Sequence, residues 1–172
     1  MSTRSVNWFG AAAPLVGNGV GVGAKAPDFT VTDAGFKPRS LADSGKGVRV
    51  FASVPSIDTG VCDLETRRFD AELEKLPGVS AFVVSMDMPP ALKRYCGAAN
   101  VTRVTCWSDF NRAHGERSFG DAWGCRIRDA GLLARAVWVV GPDDVVRHHE
   151  LVENTGTQPD FDAVLAAIRK LL

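Results

Sequence analysis

The residues with the clearest chemical potential lie in Val54-Pro55-Ser56-Ile57-Asp58-Thr59-Gly60-Val61-Cys62, between an apolar strand-like run and a helical pattern. This arrangement puts a thiol in the first turn of a helix. Unpaired backbone amides and the positive end of the helix dipole there favour a thiolate, which is a nucleophile. Thr59 precedes Cys62 by three residues, the spacing of an N-cap hydroxyl from the third amide of a helix, so a capping threonine beside an inert buried cysteine is an equally open reading of these residues alone. Downstream, Cys62, Phe69, Leu73 and Leu76 follow one another at intervals of 7, 4 and 3 residues, which places them on one helix face turned toward a core.

The elements that must position this thiol can be read from hydropathy patterning. Residues 48–54, 79–84 and 134–140 are short apolar, β-branched runs of the kind found in central strands. Gly141-Pro142-Asp143 marks a turn leading into Asp144-Val145-Val146-Arg147, which predicts a hairpin with the preceding strand. After Pro159, the residues Phe161, Val164, Leu165, Ile168, Leu171 and Leu172 repeat with helical periodicity and predict a terminal helix. Alternating strands and helices with a closing hairpin predict an α/β or α+β sheet covered on both faces. A phosphate cradle in the glycine-rich run 17–23 would need a strand before it and a helix after it; Pro27 argues against the helix, so the run reads as a turn or flexible entry to the domain.

Bulk properties narrow the function classes. With 172 residues, 45% apolar content and a formal net charge of zero, the chain is expected to form one soluble domain spanning 1–172. Balanced charge without a Lys/Arg block argues against nucleic acid or a membrane surface as partner. No secretory leader is expected, and nothing approaches the about 18 unbroken apolar residues of a membrane span. The expected location is therefore cytoplasmic, where thiols are held reduced. The four cysteines, Cys62, Cys96, Cys106 and Cys125, include no C-x-x-C pair and no zinc-site spacing. His148 and His149 would point to opposite sides of a strand, and His114 reads as a surface side chain. Neither a metal nor a bound cofactor is expected.

Pro55, Thr59 and Cys62 together form Pro-x-x-x-Thr-x-x-Cys, which resembles the active-site motif of the peroxiredoxins. The extended run Pro55-Ser56-Ile57-Asp58-Thr59-Gly60-Val61-Cys62 is similar to that of the thiol peroxidases, the atypical two-cysteine members of that family. Residues 23–29, 85–89, 94–97 and 131–137 agree in order, so the resemblance covers most of 20–172. It implies a thioredoxin-like fold, with a central mixed sheet flanked by helices. Residues 1–22 would form an N-terminal hairpin extension through Val6-Asn7-Trp8 and Pro14-Leu15-Val16-Gly17.

The same resemblance implies site roles. Cys62 would be the peroxidatic cysteine that becomes a sulfenic acid on attacking hydrogen peroxide or an alkyl hydroperoxide. Thr59 would contribute a hydroxyl contact, Pro55 would shield the sulfenate, and Arg135 would hold the thiolate and donate to the peroxide. A neutral replacement of Arg135 is expected to cost activity far more than stability. Cys96 would be the resolving cysteine, condensing with the sulfenic acid into an intramolecular disulfide that thioredoxin reduces; a homodimer is also implied. Because Cys62 and Cys96 fall on different helices, local unwinding of the Cys62 turn is expected in each cycle. Cys106 and Cys125 read as incidental thiols. The competing classes are a thioredoxin-fold disulfide carrier, which would normally show C-x-x-C, and a redox sensor without multiple turnover.

Overall fold

The computed structural model describes residues 4–110 and 117–172; His114 lies outside the described residues. A small antiparallel hairpin comes first, formed by β1 (Ser5–Trp8) and β2 (Ala11–Pro14). The main sheet is built from β3 (Val31–Thr32), β4 (Pro38–Arg39), β5 (Val48–Ser53), β6 (Val79–Ser85), β7 (Val104–Ser108), β8 (Ala136–Val140) and β9 (Val146–Leu151). Its seven strands run in the order β4-β3-β7-β6-β5-β8-β9. Strands β5, β6 and β7 are mutually parallel, while β8 is antiparallel to β5 and β9 antiparallel to β8. The sheet is therefore mixed, as expected, and β8–β9 is the anticipated hairpin.

Among the described residues, four α-helices complete the fold: α1 (Gly60–Leu73), α2 (Pro89–Ala99), α3 (Phe119–Ala122) and α4 (Phe161–Arg169). Residues on alternate positions of a strand face opposite sides of the sheet, and β5 shows the consequence. Val48, Val50 and Ala52 join the layer covered by Phe69 and Leu73 of α1, Leu92 and Tyr95 of α2, and Val164 of α4. Phe51 faces the other way, into an aromatic layer with Phe29, Phe82, Trp107, Phe119, Trp123 and Trp138. Both faces of β5 are thus dry, which explains the unbroken apolar run Val50-Phe51-Ala52 at its centre, while the buried Arg49 and Ser53 toward its ends donate to the Gly141 and Ala134 carbonyls.

Several element bounds differ from the sequence reading. The terminal helix ends at Arg169; Leu171 is half-buried just past it, and Leu172 is exposed. Its start is fixed by Asp160, whose carboxylate accepts from the Ala163 amide at 3.0 Å. Helix α1 stops at Leu73, so Leu76 packs against the core from the turn that follows. Residues 17–23 form a turn, as read, in which Gly19 passes so close to Gly124 that a Cβ on Gly124 would stand 2.3 Å from the Gly19 nitrogen. Among the described residues no helix is long and apolar enough to cross a membrane, and no group of three or more His, Cys, Asp or Glu could hold a metal ion.

Candidate active site

The segment between β5 and α1 is held in place by a residue just past the C-terminal end of the neighbouring parallel strand β6. Asp87 accepts from the Ser56 hydroxyl at 2.9 Å and from the Ile57 amide at 2.7 Å. The chain beyond Pro55 is thereby clamped before it enters α1 at Thr59. The Thr59 side chain makes no capping bond to the helix. Its hydroxyl donates instead to Cys62 Sγ at 2.8 Å, with the Ser56 carbonyl at 3.0 Å. The capping alternative is therefore set aside: this hydroxyl is turned to the sulfur.

Cys62 is fully buried. Its second partner is Arg135, whose Nη2 stands 3.2 Å from Sγ. Arg135 lies just before β8 rather than within it, and its side chain is 1% exposed. The expectation of a charge inside an apolar strand is corrected in position only, because the residue is buried all the same. Burial alone would push the guanidinium down, but Glu65 and Cys62 facing it outweigh that, and it ends above its ordinary value. Its remaining donors are used as well: Nε and Nη2 reach the Thr155 carbonyl at 3.2 and 3.1 Å, and Nη1 donates to Glu65 Oε2.

Glu65 was not anticipated. It follows Cys62 by three residues and precedes Phe69 by four, so it sits on the inward face of α1, and it is completely buried. Burial pushes its carboxyl up to about 7, with Arg135 opposing and Glu150 assisting the rise. The signal was available, since a glutamate on a buried helix face requires a cation. Thr155 was also missed. Its amide and hydroxyl both reach the Asn7 carbonyl, at 3.3 and 3.1 Å, and the Asn7 amide donates to Glu153 at 2.7 Å. The N-terminal hairpin is thus fastened to the segment that supplies a carbonyl to Arg135.

That hairpin also walls a cavity of about 490 Å3, lined by Trp8 and Phe9 on one side and by Pro55, Thr59, Val61 and Arg135 on the other. Phe9 is 91% exposed and holds a left-handed backbone conformation (φ 49°) at the hairpin tip, edge-on to Trp8 with ring centroids 4.8 Å apart. Thr59, Pro55 and Arg135 therefore meet at one cavity beside the buried Cys62.

Cys96 does not contact this group. It lies on α2, half-buried, with its thiol hydrogen-bonded to Cys106 of β7. The Cys106 bond lowers Cys96 below its ordinary value, despite burial, and the same bond together with burial raises Cys106 well above its own. A pairing of Cys106 with Cys96 was not foreseen. Cys125 is fully buried, which pushes its thiol up to about 12. All four cysteines are free thiols in this structure.

A buried thiol at a helix start, held between a hydroxyl and a guanidinium on a mixed sheet of this order, defines a thiol-based redox protein of the thioredoxin-like class. The Redoxin family model matches residues 21–165. A thiol peroxidase of Halalkalibacterium halodurans is 42% identical over 168 residues, 98% of this chain and 99% of that protein. One of Bacillus subtilis is 39% identical over 167 residues, 97% of this chain and 98% of that protein. A peroxiredoxin-like protein from Aquifex aeolicus superposes with a TM-score of 0.87 at 34% identity, covering 98% of both chains. The chain belongs to the redoxin family and, within it, to the thiol peroxidases.

Proposed function

We propose that this thiol-dependent peroxidase works through Cys62 as the attacking group and Cys96 as the resolving one. The observation that carries the reading is the pair of donors on one sulfur, the Thr59 hydroxyl at 2.8 Å and the Arg135 guanidinium at 3.2 Å. The Cys62 thiolate attacks one oxygen of the hydroperoxide; an S–O bond forms, the O–O bond breaks, and the alkoxide or hydroxide leaves with a proton as alcohol or water. Donors fixed beside the sulfur before reaction require no reorganisation to meet the charge that moves onto the leaving oxygen. Pro55, at the cavity wall, keeps bulk water from the resulting sulfenic acid.

Cys96 then attacks the Cys62 sulfenic sulfur, water departs, and an intramolecular disulfide remains. An external dithiol of the thioredoxin type accepts that disulfide and restores both thiols. The cavity of about 490 Å3 is far larger than hydrogen peroxide needs, given the about 30 Å3 that a water molecule occupies in the liquid, and its Trp8, Phe9 and Val61 lining suits the apolar part of an alkyl hydroperoxide. Residues 1–172 act as one peroxidase domain, with 1–22 as the extension that supplies this wall. The family resemblance supports a homodimer, a cytoplasmic location and no direct membrane or nucleic-acid partner.

Stopped-flow peroxide consumption with thioredoxin, thioredoxin reductase and NADPH tests the cycle. Multiple rapid turnovers are expected, with mass spectrometry of the oxidised chain giving a Cys62–Cys96 disulfide. A single slow oxidation would instead identify a redox sensor, and a disulfide joining other cysteines would remove Cys96 from its role.

A further inference from the structure

The first turn of α1 carries Cys62 and the last turns of α2 carry Cys96, and the residues next to each of these cysteines are joined. Asp63 Oδ1 accepts from the Tyr95 hydroxyl at 2.8 Å and from Arg67 Nε at 2.8 Å. Arg67 then continues to α2, where its Nη1 donates to the Ala99 carbonyl at 3.0 Å. Asp63 also closes the first helical hydrogen bond of α1, its amide donating to the Thr59 carbonyl at 2.9 Å. These contacts lie at an open cleft of about 340 Å3 between the two helices, bordered by Asp58, Gly60, Asp63, Arg67, Tyr95 and Ala98.

We propose that Asp63, Tyr95 and Arg67 form a latch that sets how often the Cys62 turn opens toward Cys96, and thereby how the sulfenic acid divides between disulfide formation and further oxidation. The proposal rests on the Cys62–Cys96 cycle described above. Two reactions compete for the sulfenic acid. In one, the Cys96 sulfur displaces water from the Cys62 sulfur; in the other, a second hydroperoxide oxidises the sulfenic to the sulfinic acid and leaves as alcohol or water.

Only the first reaction requires the turn to unwind, because Cys62 is fully buried against Arg135 while the Cys96 thiol is engaged with Cys106 on β7. Unwinding residues 60–63 breaks the Asp63 amide bond and pulls its carboxylate from both donors. Each intact arm therefore lengthens the closed interval during which a second peroxide can arrive. Asp63 remains ionised throughout the working range: burial works against its charge, but Tyr95 and Arg67 outweigh it and hold the carboxyl below its ordinary value. The three residues are positioning residues, since none of them touches the sulfur.

The test uses the full chain with Tyr95→Phe and, separately, Arg67→Gln. Each removes one arm and leaves the Cys62 surroundings intact. Hydrogen peroxide is the probe, sulfenic acid formation and disulfide formation are followed as separate stopped-flow phases, and sulfinic acid is measured by mass spectrometry. Sulfenic acid formation is expected at the wild-type rate. Disulfide formation should accelerate about fivefold in each variant, as loss of one hydrogen bond implies, and the peroxide concentration that converts half the protein to sulfinic acid should rise with it. Unchanged or slower disulfide formation overturns the latch. Arg67 is half-exposed, so its variant decides the matter if Tyr95→Phe fails to fold. A wild-type chain that forms no Cys62–Cys96 disulfide overturns the cycle beneath the proposal, a result recognisable because wild type and variants would fail alike.

Discussion

Glu65 and Arg135 face each other in the interior with side chains 0% and 1% exposed, the guanidinium donating to Glu65 Oε2 while its other nitrogen reaches Cys62 Sγ. One cation is thus divided among a carboxylate, the Thr155 carbonyl and a thiol. Two charges in so dry a place hold each other there, and removing either strands its partner.

This changes what Arg135→Met should do. The sequence reading expects activity to suffer far more than stability, but the variant leaves Glu65 without its cation and the Thr155 carbonyl without its donors. Unfolding by urea should show a loss on the order of 3 kcal/mol, the cost of breaking a buried pair, alongside a collapse of peroxide turnover. Combining it with Glu65→Gln should recover much of the stability and none of the turnover. Wild-type turnover in either variant would remove Arg135 from the chemistry.

Stability should also carry the imprint of Glu65 on its pH dependence. Burial raises this carboxyl to about 7 from an ordinary 4.5, so between those values the folded protein binds a proton that the unfolded chain releases. Its contribution is fully present below about pH 4.5 and is lost as pH rises through about 7. Glu65→Gln cannot titrate, and its stability relative to wild type should therefore climb between pH 5 and 8, by an amount on the order of 2 kcal/mol. Urea titrations at several pH values measure the difference, which cancels other groups in that range such as Asp109, also raised to about 7 by burial. Parallel pH curves would mean that Glu65 stays ionised throughout.

Thr59→Val removes the hydroxyl on Cys62 Sγ while nearly preserving side-chain volume. Because that hydroxyl makes no cap bond to α1, thermal stability should move little. The second-order rate with peroxide should fall on the order of 100-fold, as for loss of one preorganised donor. Thr59→Ser should retain most of the rate. Equal rates for the valine variant and wild type would leave the hydroxyl with a structural role only.

Cys106→Val deletes the donor on Cys96 at similar volume. Since the Cys106 bond lowers Cys96, its loss should move the pH midpoint of disulfide formation upward and slow that phase severalfold near neutral pH, with the peroxide phase unaffected. Stopped-flow records across pH 6–9 would show it. An unmoved midpoint would mean that the two thiols are neighbours without consequence.

The residues best read from sequence are those whose position and type carry one meaning. Val50, Phe51 and Ala52 are apolar in succession because both faces of β5 are covered, and Pro55, Thr59 and Cys62 fall in a fixed motif. Strand β7 was not identified, although Val104, Thr105 and Trp107 favour a strand, because only five residues separate the polar Thr102-Arg103 from Asp109. Strands β3 and β4, of two residues each, leave no periodicity to detect. Asp87 and Thr155 were missed for another reason: each acts by touching a residue distant in sequence, and polar side chains at those positions look like surface until the sheet order is known, whereas the place of Glu65 on the Cys62–Phe69 face already marked it as buried. The contact of Cys106 with Cys96 escaped notice in the same way, since it depends on α2 lying over β7.

The separation of 73 positions between Cys62 and Arg135 also gives the site a history within each molecule. During synthesis Cys62 emerges long before the guanidinium, and before the Thr155 carbonyl that steadies it. A half-made chain therefore carries an ordinary, solvent-bathed thiol, with neither cavity nor cation beside it. The full set of contacts on the sulfur comes together only when β8 docks alongside β5 and the last segment reaches the hairpin. With Cys62 as the proposed attacking thiol, reactivity toward peroxide should in this sense certify completed folding and be withheld from chains that are truncated, nascent or misassembled.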